Sequence, residues 1–120
     1  MRVLIVESVA ELGWLWKRHL DRQGCRTELV HGQDAAIEAL RERNFDVIVL
    51  DLIIPDGSAF AVSDFASYRQ PDARVIFVTN SSFFSDGSIF SHACNARALI
   101  RSDAPPSDLA AIVEHYAMAV

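Results

Sequence analysis

Two acids stand at the ends of apolar runs, Glu7 after "VLIV" (3–6) and Asp51 after "VIVL" (47–50). A continuous run of branched apolar residues, with no polar alternation, reads as a strand covered on both faces, so each acid marks where a strand surfaces. In a doubly wound sheet, ligand chemistry gathers outside the carboxyl ends of the strands, where strand order reverses. If the first and third strands are neighbours, roughly 5 Å apart, Glu7 and Asp51 share one small cleft. Two close carboxylates raise each other's pKa unless a positive group intervenes, so the pair requires a metal ion or a lysine-like partner.

The elements that must hold these acids follow from periodicity. Apolar runs recur at "RVLIV" (2–6), "RTELV" (26–30), "VIVL" (47–50), "RVIFV" (74–78) and "RALI" (97–100), each followed by polar or turn-forming residues. These are the expected strands. Helical spacing appears between and after them, in Val9, Leu12, Trp16 and Leu20, in Ala36, Ile37 and Leu40, and in Leu109, Ile112, Val113 and Tyr116. Gly24, Asn44, Gly57 and Pro71 punctuate the joints, while Gln33-Asp34, Ser58 and Ser107-Asp108 are helix-start signals. Such alternation predicts an α/β fold, a doubly wound (βα)5 three-layer sandwich with helices on both faces of a parallel sheet. Trp14 and Trp16 lie two apart on the first helix and cannot both be core. Trp16 fits the buried stripe, which leaves Trp14 exposed. The serine-rich "NSSFFSDGS" (80–88), with Phe83 and Phe84, is the one soft region expected.

Composition narrows the classes. At 120 residues and 51% hydrophobic, the chain has material for one domain, 1–120, with a real core. No apolar run approaches the ~20 residues of a membrane span, and "MRVLIVES" is too short and too soon acidic for a signal peptide. The expectation is a cytoplasmic protein without a membrane partner. With a net charge of -5 and scattered Lys and Arg, the electrostatic footprint of direct nucleic-acid binding is missing. Cys25 and Cys94 show no metal-ligand spacing and read as reduced, buried thiols. His19, His31, His92 and His115 share no spacing and read as surface or capping residues, and Asp56 as a turn residue within "PDG".

The segments "LIVES", "VIVLDLIIPDGSAF", "VIFVTN" and "ALIRS" fall in the order and spacing of a known family. Over essentially its whole length the chain resembles the receiver domain of bacterial two-component response regulators. The resemblance implies a flavodoxin-like five-stranded sheet of order 2-1-3-4-5. It implies Asp51 as the aspartate phosphorylated by a histidine kinase or phosphotransfer protein, Thr79 as the hydroxyl residue ending the fourth strand, and Arg101 at the family's lysine position. It also implies Mg2+ held by Glu7, by Asp51 and by the backbone carbonyl of Ile53, with Ser8 a weak ligand in place of the family's second acid. Output would be a contact with a further protein. An aspartate oxygen attacking a phosphohistidine needs this set: cations to neutralise the equatorial oxygens and Thr79 to donate a hydrogen bond.

Several positions depart from that pattern. Arg101 carries a bulkier, forked charge than lysine, which is not a neutral exchange at a tight site. The next residue is Ser102 rather than the proline whose peptide bond is cis, so this loop should take a different path. Ala98 stands where the family's switch places an aromatic residue. Asn80 and Ile53 flank the site in ways expected to narrow access and hinder an attacking water, giving a long-lived phosphoryl group. A second reading is therefore a pseudo-receiver, a binding module that keeps the fold without phosphorylation. Conventional enzymes fit poorly. A haloacid dehalogenase-type phosphatase needs an aspartate where Ile53 stands, and flavin binding needs a Gly- and hydroxyl-rich loop where "ESVAELG" stands. Self-catalysed phosphotransfer to Asp51 is the only enzymology left. The chain reads as a stand-alone regulator or as a fragment of a larger one.

Overall fold

The architecture was obtained as a computed structural model, which describes residues 1–80 and 95–118. The element order is β1 (Arg2–Val6), α1 (Ala10–Arg22), β2 (Arg26–Val30), α2 (Gln33–Glu42), β3 (Val47–Asp51), α3 (Ala59–Arg69), β4 (Arg74–Thr79), β5 (Ala96–Arg101) and α4 (Pro106–Met118). The five strands form one parallel sheet in the order β2-β1-β3-β4-β5, with four helices among the described residues. The expected soft segment beyond Asn80, with Phe83 and Phe84, lies outside the described residues, as do His92, Cys94 and the stretch where the expected (βα)5 alternation places a helix between β4 and β5.

Alternation along the strands divides the core in two. Val3, Ile5, Val47, Val49, Ile76 and Val78 pack with Trp16 and Leu20 of α1 and Leu109 and Val113 of α4. Leu4, Val6, Ile48, Leu50, Val75 and Phe77 pack on the other face with Ala36 and Leu40 of α2 and Val62 and Ala66 of α3. Strand side chains point alternately to opposite faces, so a run that is apolar at every position is the requirement of a sheet with helices on both sides. Trp16 is buried and Trp14 exposed, as the helical spacing predicts. Val9, assigned to the buried stripe, is instead the exposed residue preceding α1.

Helix starts required more than local signals. Ser58 caps α3 as expected, its Oγ accepting from the Phe60 and Ala61 N–H groups. Helix α4 begins at Pro106, one residue ahead of Ser107-Asp108, because proline is suited to a first helical turn where no N–H is needed. Gln70, buried between α3 and β4, accepts from Phe45 N–H at 2.8 Å and donates to the carbonyls of Leu40 at 2.8 Å and Arg43 at 2.6 Å. It ties the end of α2 to the entrance of β3. Gln70→Ala would strand these buried groups and should cost about 3 kcal/mol, measurable by urea denaturation.

Candidate phosphoacceptor site

The β1–β3 ladder pairs Val6 with Leu50, which brings the next residues, Glu7 and Asp51, to adjacent strand tips. Alternation carries both onto the face of α1 and α4, since they continue the series Val3, Ile5 and Val47, Val49. Asp51 is half-buried and Glu7 almost fully so, at 2% exposure. Gly13 of α1 lies beside this acid: a Cβ built there would sit at an ordinary 3.5 Å from Glu7 Cβ and would press on the Leu29 side chain, whose Cδ1 is 2.7 Å away.

Glu7 Oε1 accepts a long bond of 3.4 Å from Val9 N–H, and Oε2 is buried with no hydrogen-bond partner. Burial first, and then the adjoining Asp51 carboxyl, push Glu7 up to about 8. Asp51 Oδ1 accepts from Ile53 N–H at 3.0 Å, which folds the start of the β3–α3 loop back over the strand tip. Ile53 itself projects outward, 59% exposed, and Ser8 is exposed. Among the described residues no third acid, histidine or cysteine joins Glu7 and Asp51. Two carboxylates, one holding an orphaned buried oxygen, suit Mg2+, which takes few carboxylates and keeps several waters.

Thr79 is buried at the end of β4 and lies opposite Arg101 of β5. That pairing depends on an irregularity between Val75 and Ile76, which face Ala96 and Ala98, so one residue, Arg97, is passed over. With a regular ladder Thr79 would have met Ile100. Arg101 does not supply the positive partner that the acid pair requires. Its Nε donates to Asp103 Oδ1 at 3.1 Å and its Nη2 contacts Asp103 Oδ2 at 3.5 Å. No cis peptide occurs among the described residues; Ser102 N–H instead donates to the Thr79 carbonyl at 2.8 Å. That bond ties the start of the β5–α4 loop to the tip of β4.

How the surrounding loops are joined is not legible in the sequence. Asp56, expected to be a simple turn residue, accepts from the N–H groups of Gln33 at 2.7 Å and Asp34 at 3.5 Å, and so caps α2 from another loop. Gln33 Oε1 accepts in return from Ser58 N–H at 2.8 Å. A Cβ on Gly32 would strike the Asp56 carboxylate, which accounts for glycine before α2. His31 at the end of β2 places Nδ1 2.9 Å from the Glu7 carbonyl oxygen, a capping role on the β1 tip. The neighbouring "PDG" and "HGQD" stretches were the available signal, but nothing local says that they meet.

Comparison with known proteins agrees with this architecture. Residues 3–112 match the family model described as the response regulator receiver domain. The luminescence regulatory protein LuxO of Vibrio campbellii is 33% identical over 75 residues, which is 62% of this chain and 17% of LuxO. The matches span between 17% and 36% of the length of the curated relatives. Among solved structures, a CheY-like response regulator receiver domain protein from Methanospirillum hungatei JF-1 superposes with a TM-score of 0.87 at 22% identity, covering 97% of this chain and 92% of that one. The response regulator TrrA from Thermotoga maritima, solved in complex with Mg2+ and BeF, gives 0.82 at 20% identity, covering 96% and 97%. The structures carry the fold, and the family model, spanning most of the chain, carries the membership: this chain belongs to the response regulator receiver domain family.

Proposed function

We propose that this receiver accepts a phosphoryl group on Asp51 from a histidine kinase or phosphotransfer protein and signals through contact with another protein. The observation that carries the reading is the placing of Asp51 beside buried Glu7 at the tip of the central strand, with Thr79 on the adjoining strand. An Asp51 oxygen attacks phosphorus, the donor's N–P bond breaks with its electron pair passing to the imidazole nitrogen, and an acyl phosphate forms. Glu7, Asp51 and the Ile53 carbonyl would hold Mg2+, with Ser8 adding at most a weak ligand. Bound there, the ion would offset charge on the phosphoryl oxygens. Thr79 would donate a hydrogen bond to the same oxygens. Trp14, 53% exposed, and Leu15, 39% exposed, offer an apolar docking surface on α1 for the phosphodonor.

Intact mass after incubation with acetyl phosphate and Mg2+ tests the reading. A gain of one phosphoryl group supports it. No gain, under conditions that phosphorylate an ordinary receiver, favours the pseudo-receiver. The engagement of Arg101 by Asp103 is the observation on that side.

The lifetime of the product follows from the rim of the site. Ile53, two residues after Asp51, carries an exposed apolar side chain that can neither donate to nor accept from an attacking water. Phosphate release should take minutes or longer, and Ile53→Asn should shorten it several-fold. A wild-type half-life of seconds would sink this account.

No described helix is long and apolar enough to cross a membrane. Cytoplasmic location remains part of the proposal.

A further inference from the structure

The geometry points to Asp103 as a positioning residue for phosphoryl capture: it holds the Arg101 guanidinium away from the acid pair until an incoming phosphoryl group displaces it. This inference rests on the reading of Asp51 as phosphoacceptor. Arg101 ends β5 opposite Thr79, and Asp51 lies two strands away, roughly 10 Å in the sheet. An extended arginine and a phosphoryl group can together span that gap. In the structure the guanidinium fork faces the Asp103 carboxylate instead, through Nε and Nη2. No ion pair reaches Glu7 or Asp51 among the described residues.

The Arg101–Asp103 pair is built to be exchanged. Its side chains are 55% and 72% exposed, so water and salt weaken the attraction and breaking it exposes no buried charge. A phosphoryl group carries nearly two charges and three acceptor oxygens, and so is the stronger partner for a guanidinium fork. The backbone need not move with the side chain. Ser102 N–H on the Thr79 carbonyl and Ala104 N–H on the Arg101 carbonyl, at 2.8 and 3.1 Å, fix the loop at its root. Exchange is then a rotation of the Arg101 side chain, and it leaves Asp103 unpaired on the surface of the β5–α4 loop. That released carboxylate gives the loop a charge change that depends on phosphorylation, at a place where Ala98 supplies no aromatic side chain to move.

The test is the rate of phosphoryl uptake from subsaturating acetyl phosphate with Mg2+, read by intact mass for wild type, Asp103→Asn, Arg101→Gln and the double variant. Releasing Arg101 should speed uptake by roughly two- to fivefold in Asp103→Asn, with no acceleration when Arg101 is already glutamine. The Arg101 Nε–H resonance of the wild type should also shift on addition of beryllofluoride with Mg2+. Equal rates in a wild type that does take up phosphoryl and in Asp103→Asn would overturn the inference alone. Acceleration that persists in the Arg101→Gln background would overturn it as well, since the effect would then come from removing any nearby negative charge. A wild type that takes up nothing would remove both the inference and the receiver reading beneath it.

Discussion

Asp51→Asn is expected to abolish phosphoryl uptake from acetyl phosphate completely while leaving a folded protein. An amide oxygen is too poor a nucleophile to form the acyl phosphate, but it can still accept the Ile53 N–H bond that shapes the loop. The substitution also removes the carboxyl that faces Glu7 across the strand tips. Glu7 owes part of its raised pKa to that neighbour, so its carboxyl should ionise at lower pH in the variant, though still above the ordinary range because burial is the larger cause. Without metal, Asp51→Asn should therefore melt a few degrees above wild type at pH 8. Intact mass and thermal unfolding, run side by side, separate a lost nucleophile from a lost fold. Residual stoichiometric uptake would place the phosphoacceptor elsewhere.

The second large effect belongs to Glu7→Gln. In the folded protein Glu7 titrates near 8, against an ordinary value of 4.5. Between those values the native chain keeps a proton that the unfolded chain has released. Stability contributed by this group is full below about 4.5, falls as pH rises through the window, and is lost once pH passes 8. Glutamine cannot ionise, so the variant should lose this slope and exceed the wild type at pH 8 or above by on the order of 3 kcal/mol. The same substitution removes an anionic ligand. Mg2+ should raise the melting temperature of wild type above pH 8, where Glu7 is charged, and should have little effect on the variant. A wild type whose stability is flat from pH 4.5 to 8.5 would contradict the burial argument.

These expectations rest on acids that were visible in the sequence, but for reasons of unequal depth. The strands were legible because parallel strands covered on both faces must be apolar at every position, and "RVLIV" and "VIVL" are. Trp16 and Leu20 were legible as core by helical spacing. Arg101 was legible as a residue at the end of β5, but its partner was not, because nothing in the local pattern says which acid its guanidinium meets. Asp56 looked like a turn residue because its role depends on the backbone of Gln33, 23 positions away.

The sequence by itself determined that strand and helix alternate, that Glu7 and Asp51 end strands, and that Trp16 rather than Trp14 is core. Each of these follows from local pattern, where the period of a strand or helix dictates which side chains share a face. Tertiary structure alone decided that Glu7 is buried, that the irregularity at Arg97 sets Thr79 opposite Arg101, and that Arg101 faces Asp103 rather than the acid pair. Burial, register and ion pairing are set by contacts between segments far apart in the chain, and local periodicity carries no information about which segments meet.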